Sequence, residues 1–361
     1  MMKRIYILNA IMFVILLVGC VQPKRNDVPV QILDRGLLAK AKVLQVDTIG
    51  VFDDFIYAKN FWVYADSVLV VLNKKHKDGY FVELYNLYTK ENIAKLYRLG
   101  DAPNEMLSAR IDMNGKMMSV NDYVKGQIAV VDLDSLLRNA TYTALPVRHQ
   151  VMGSPTAIPY GDYFLLEHPY CFTDKNLKIE QDAPRFIVTD GKNPYVEKVE
   201  YKYYTRNVSV DGCIITNYST DRIIYAYMHK SVMEIYDKDL NLQRMIEGPI
   251  DLKAKYSLDG GLDTGTEISF KDYIPYAYLT YCTAENCFYM SYVGDYLKSG
   301  GMKDFPGWIL KFDWDGRLLD CFSVKGCVRS VSKSEKERVL YVTVLNKEDV
   351  PILLRMYENE G

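Results

Sequence analysis

The chain has 361 residues, 44 basic and 46 acidic side chains, a formal charge of −2 at pH 7, and 49% apolar residues. A balance so near neutral lacks the basic footprint of a nucleic-acid binder, so no nucleic-acid partner is expected. The apolar content supports a large core, and the length suits one large all-β domain better than several domains.

The chain opens MMKRIYILNAIMFVILLVGC. Lys3 and Arg4 make a basic start, and Ile5–Val18 is mostly apolar but short of the roughly 20 residues that cross a bilayer. This reads as a secretory signal. Leu17-Val18-Gly19-Cys20 matches a bacterial lipobox, in which small residues admit the signal peptidase and the cysteine thiol takes the lipid. Residues 1–19 are therefore assigned to a signal peptide, Cys20 to lipidation, 20–31 to a tether that links the protein to a membrane, and 32–361 to the folded domain.

Six apolar runs follow, each ending in Asn, Asp or Glu: FVELYN at Asn86, IAVVD at Asp132, RFIVTD at Asp190, VMEIYD at Asp237, ILKFD at Asp313 and ILLRMYE at Glu358. The steps between them are 46, 58, 47, 76 and 45 residues, so a common unit with two insertions explains the spacing. A strand-built period of about 40–50 residues is the signature of a propeller. Helical repeats would show a 3.6-residue apolar period, whereas these runs alternate or are continuous. Each unit divides into four strands, A to D. In the fifth these are AYLTYCTAE, NCFYMSYVGD, GWILKFDWD and RLLDCFSVKG; in the fourth, NVSVDG, RIIYAYMH, VMEIYDKD and NLQRMIEG. The last unit stops after PILLRMYE, without a strand D, while AKVLQVDTIG (41–50) looks like a D strand with no blade of its own. The fold expected is an all-β six-bladed β-propeller, its ring closed by an N-terminal strand that completes the C-terminal blade and removes the open edges.

The lipobox, FDWDGRLLDCF (312–322) and LGDAPNEML (99–107) together resemble the TolB-like six-bladed propeller lipoproteins of Bacteroidetes over about residues 32–358. LGDAPNEML is similar to a glycine-rich link between the first two blades of that family, with Ala102 and Asn104 where glycines are usual. The resemblance implies fold and location more than activity. In such lipoproteins an acidic run after the cysteine marks surface export. CVQPKRND lacks one, which implies the periplasmic side of the outer membrane.

Asp132/Asp134, Asp237/Asp239 and Asp313/Asp315 repeat an Asp-x-Asp pattern. Calcium would need several carboxylates on one loop. All three pairs fall at a C-to-D turn, where Asp binds nearby backbone amides, so turn chemistry is the reading adopted. The four histidines are scattered, and no metal or cofactor is expected. Cys282 and Cys287 flank Thr283–Asn286 in the A–B hairpin of the fifth blade. Residues facing across a hairpin have Cβ atoms roughly 4.5–5.5 Å apart, at or above disulfide spacing. They are a candidate disulfide, with a reduced core pair favoured.

In a four-stranded blade, B–C and D–A connections emerge on one face. The insertions Cys171–Pro184, Gly248–Pro275 and Asp295–Pro306 all belong to it. Tyr170, Asp174, Tyr256, Tyr273, Tyr276 and Tyr296, in or beside these insertions, are binding candidates. Arg110, Arg206 and Arg329 stand near the starts of inner strands, so they would form a cationic rim for a carboxylate or phosphate. Alternatively they pair with Asp112 and similar groups and plug the channel. The function expected is a binding or scaffolding module for a partner protein or small ligand. The competing reading is a hydrolase or lyase at the channel mouth, since the fold alone does not choose. Converging histidines and carboxylates would favour the enzyme; a rim of Tyr and Arg would favour binding.

Overall fold

The computed structural model describes residues 28–51, 60–73, 79–138, 149–150, 156–167, 186–190, 212–217, 219–253, 256–259, 267–270, 273–299, 301–334 and 336–358. Three strands precede the first blade: β1 (Val30–Ile32), β2 (Lys42–Val43) and β3 (Gln45–Val51). Blade one is β4 (Asn60–Tyr64), β5 (Val68–Leu72), β6 (Tyr80–Asn86) and β7 (Asn92–Arg98). Blade two is β8 (Arg110–Asn114), β9 (Met117–Asp122), β10 (Gln127–Asp132) and β11 (His149–Gln150). Blade three contributes β12 (Ala157–Tyr160), β13 (Tyr163–Glu167) and β14 (Phe186–Thr189). Blade four is β15 (Gly212–Asn217), β16 (Arg222–Tyr227), β17 (Val232–Asp237) and β18 (Leu242–Glu247). The hairpin β19 (Tyr256–Asp259) and β20 (Glu267–Phe270) precedes blade five, which is β21 (Pro275–Thr283), β22 (Cys287–Tyr296), β23 (Gly307–Asp313) and β24 (Leu318–Val324). Blade six is β25 (Cys327–Lys333), β26 (Val339–Leu345) and β27 (Pro351–Tyr357), completed by β3. The molecule is a six-bladed β-propeller. The runs ending at Asn86, Asp132, Asp190, Asp237, Asp313 and Glu358 all form or end the third strand of their blades.

Second strands read as continuous apolar runs because neighbouring blades cover both of their faces. Every residue of β5 (VLVVL) and of β26 (VLYVTVL) is buried. In blades four and five the acidic ends of the third strands are turn residues. Asp132, expected at such a turn, instead caps a helix (Leu133–Arg138) by accepting from the Ser135 amide at 3.0 Å, and Glu358 accepts from Tyr289 and Lys311. Asp313 Oδ1 accepts from the amides of Asp315 at 3.1 Å and Arg317 at 2.7 Å, and Asp237 Oδ1 does the same for Asp239 and Asn241. In the first of these turns Gly316 takes a φ of +81° and lies against Ile235 and Ile246 of blade four, where a Cβ would come within 2.3 Å of Ile235 Cδ1. Asp-Gly here serves turn geometry and blade packing together.

Among the described residues the first strand of blade four is Gly212–Asn217; of the expected NVSVDG strand at 207–212 only Gly212 is described. GCIITN pairs with β16 through a short turn after Asn217, which NVSVDG would have left as a long loop. The N-terminal segment also divides differently from the expected single strand at 41–50. β3 pairs antiparallel with β27, from Gln45–Tyr357 to Val51–Ile352, and supplies the missing D strand. Lys42 and Val43 instead lie parallel to β24 of blade five, and Val30–Ile32, across the expected tether boundary, lie parallel to β18 of blade four. A short helix, α1 (Gly36–Ala39), sits between them. The chain therefore runs as a belt around the outer rims of blades four and five before entering blade six. Leu33 packs into the core of blades four and five, and Leu44 into that of five and six.

The seam between blades six and one is closed on the inside as well. Phe61, Val63, Leu69 and Val71 meet Val339, Tyr341 and Leu353 in one buried cluster. Ser332 Oγ accepts from the Val63 amide at 2.9 Å, and Ser330 Oγ donates to the Phe61 carbonyl.

Two truncations separate belt from seam. A chain beginning at Leu44 keeps β3, loses the buried Leu33, and should fold with a lower melting temperature, since one buried leucine contributes about 1.5–3 kcal/mol. A chain beginning after Val51 exposes β27 as an edge and should aggregate. If the second chain melts as cooperatively as the intact one, β3 does not close the ring.

Candidate functional site

Inner strands end at a cavity of about 520 Å³ on the face of the B–C and D–A connections. A second cavity of about 490 Å³ lies at the other end of the channel. Trp62, Met113 and Tyr281 line both, so they form the constriction between the two.

Strand β8 directs every second residue across the channel. Ile111 packs into the core of blades one and two, which leaves Arg110, Asp112 and Asn114 on the opposite side. Arg110 Nη2 donates to the Gly212 carbonyl of blade four at 3.1 Å. Tyr281 of blade five donates to Asp112 Oδ1 at 3.5 Å. Thr283 Oγ1 donates to Asn114 Oδ1 at 3.2 Å. The row spans the channel and makes the upper cavity a pocket.

Arg329 reaches the same cavity by another device. In β25 the register slips between Val328, opposite Val344, and Ser330, opposite Thr343, so Arg329 is the extra residue of a β-bulge. Bulges commonly re-aim a side chain at a functional site. Among the described residues the Arg329 guanidinium contacts neutral groups: Met302 Sδ at 2.8 Å, Asn60 Oδ1 at 3.4 Å and the Cys327 thiol. Its Nε is buried without a hydrogen-bond partner.

The environment acts on the other titratable groups. Burial raises the Asp112 pKa, and the neighbouring Arg110 charge offsets this in part. Asp112 Oδ2 is buried without a partner. Burial, followed by the Asp112 charge, pushes the Tyr281 hydroxyl well above its usual range. Burial pushes the Cys213 thiol up to about 12, which keeps it protonated and unreactive.

Of the residues expected from sequence, Arg110, Arg329 and Tyr276 line this cavity. Tyr276 stands edge-on to His229, ring centroids 4.9 Å apart, and against Phe305 at 5.3 Å. Tyr296 is committed to structure: its hydroxyl accepts from the Lys253 amide at 3.0 Å and donates to the Lys253 carbonyl, pinning the segment after β18. Tyr273 is exposed on the connection into blade five, away from the lining. Tyr256 lies in β19, outside the blades. Cys20, Tyr170, Asp174 and Arg206 lie outside the described residues.

The candidate disulfide is absent, and the favoured reduced pair is what the structure holds. Cys282 and Cys287 are both buried free thiols. Cys282 pairs with Tyr289, and the Ala284 amide donates to the Cys287 carbonyl, so the hairpin loop is the two residues Glu285-Asn286. That register makes the cysteines diagonal neighbours, typically about 7–8 Å apart and beyond disulfide reach.

Sequence reasoning passed over Asn60, Met302, Trp62 and Tyr281 as site residues. One signal was present for the bulge: in CVRSVSK the buried valines 328 and 331 are three apart, which breaks strand alternation at Arg329.

No protein-family model matches the chain, and no curated protein matches it. Among solved structures, a member of the DUF4221 family from Bacteroides vulgatus is similar over 88% of this chain and 96% of its own, at 12% identity and a TM-score of 0.50. A protein described as exported, from Bacteroides fragilis, is similar over 92% of this chain and 100% of its own, at 12% identity and a TM-score of 0.48. Likeness at this identity shows the propeller fold alone.

The raised pKa of Asp112 carries a sign. The folded state holds this proton over a pH range in which the unfolded chain has lost it. The resulting stability is present at low pH and is lost as pH rises through the folded-state pKa. Asp112→Asn removes that loss, so its melting temperature relative to the parent should climb as pH rises above the ordinary carboxylate range of about 4. A difference that stays constant as pH rises would show that burial leaves Asp112 unperturbed.

Proposed function

We propose that the protein is a binding module of the cell envelope, which takes an anionic group of a small ligand or partner at the channel mouth. The observation that carries this reading is Arg329, set by a bulge into a cavity and held there by neutral acceptors. The described lining holds two arginines, three tyrosines and one carboxylate, with no histidine. That composition fits binding better than general acid–base hydrolysis or elimination, which needs a positioned proton donor and acceptor. The volume falls within the range of small-ligand sites.

The test is retention. Protein purified without denaturation would be extracted and its small molecules identified by mass spectrometry, with Arg329→Gln treated in parallel. The parent should carry an anionic compound that the variant has lost. Equal retention by both, or nothing above a blank, overturns the assignment.

The lipobox supports attachment through a lipid on Cys20, with the propeller on the periplasmic side of the outer membrane. Cys20→Ser should move the protein from the membrane fraction to the soluble one. A variant that still pellets after alkaline wash would rule the anchor out.

A further inference from the structure

Resting on that reading of the mouth, we propose that the ligand is a monocarboxylate with an apolar or aromatic body, its carboxylate on Arg329 and its body against the wall near Trp62. The charged residues of the cavity lining are Arg110, Asp112 and Arg329. Arg110 stands beside Asp112, which its charge acts on, and donates to the Gly212 carbonyl. Arg329 has no hydrogen-bonded carboxylate among the described residues: its partners are a thioether, an amide oxygen and the Cys327 thiol. Among the described residues the cavity thus presents a guanidinium, Arg329, with no carboxylate hydrogen-bonded to it, which one negative charge would balance. A dianionic phosphate would call for a second cation.

The geometry of the guanidinium favours the same ligand. Its planar fork matches a carboxylate with two parallel hydrogen bonds, each stronger than a bond to a neutral acceptor. A carboxylate there would replace the Met302 sulfur, a weak acceptor, as the partner of Nη1. The Asn60 amide beside Nη2 offers a further donor to the bound oxygen. The wall around this point is mixed, and its apolar side chains are Trp62, Leu72, Phe81, Met113, Met228 and Leu279. Methionines adapt to irregular apolar shapes and contact aromatic rings favourably. A volume of about 520 Å³ accommodates a phenyl- or indole-sized body.

The experiment is calorimetric titration of the purified protein with phenylacetate, indole-3-acetate, their primary amides, and inorganic phosphate. The acids should bind, and the amides should bind about ten- to hundredfold more weakly, the usual effect of losing a charged hydrogen bond. Asn60→Asp is the decisive variant, because it is nearly isosteric and places a permanent carboxylate beside Arg329. It should weaken acid binding at least tenfold while its melting temperature confirms the fold. The proposal is overturned if the amides bind as tightly as the acids, if phosphate binds more tightly than either acid, or if Asn60→Asp leaves affinity unchanged. It is also overturned if neither acid binds. In that last case, an anion retained by the parent and lost from Arg329→Gln leaves the mouth as the site and removes only the ligand class. Equal retention removes both.

Discussion

A ring of sheets has one seam, and everything else in this molecule depends on how that seam is held. Blade six has only three strands from the C-terminal end of the chain, and its fourth comes from Gln45–Val51. The backbone ladder between β3 and β27 closes the outside, and the serines of β25 close the inside against Phe61 and Val63. An edge strand left open at β27 would be a template for association. The belt adds a second hold upstream. Leu33 and Leu44 are buried under it, so the closing strand is fixed at its entry before it pairs.

A closed ring fixes the distances across its axis, and the channel uses them. The row Arg110, Asp112 and Asn114 meets partners on blades four and five at hydrogen-bond range, which is attainable only if the inner strands hold their spacing. These braces and the Trp62–Met113–Tyr281 constriction divide the channel. Low dielectric and water exclusion in such a pocket strengthen any charge-assisted contact made there. Arg329 therefore derives its chemistry from its setting: the same guanidinium in open solvent would contribute little.

The sequence reveals the architecture well where a regular period operates. Six apolar runs with Asx or Glu ends mark six third strands because pleat alternation and turn chemistry both leave residue-level traces. Strands β1 and β2 left no such trace, since two or three residues carry no period and parallel pairing at a rim needs only backbone groups. The first strand of blade four was displaced because NVSVDG alternates more cleanly than GCIITN, which is buried on both sides and reads as plain core. Cys282 and Cys287 are the reduced core pair that the sequence favours, but the loop between them has two residues and not four, and that small change in register moves a facing pair to a diagonal one. At the mouth, Arg110 and Arg329 were legible from position. The neutral surroundings of Arg329 were not, because Asn60 and Met302 come from elements remote in sequence.

Strand direction settles where the chain enters relative to the mouth. Each fourth strand runs toward the face that carries the D–A connections, which is the face of the mouth. β1 is parallel to β18 and β2 is parallel to β24, both fourth strands, so both run toward the mouth face as well. The N-terminal end of β1 is therefore on the opposite face, and the chain reaches the propeller from there. The belt lies on the outer rims of blades four and five, clear of the channel axis, and leaves the cavity uncovered.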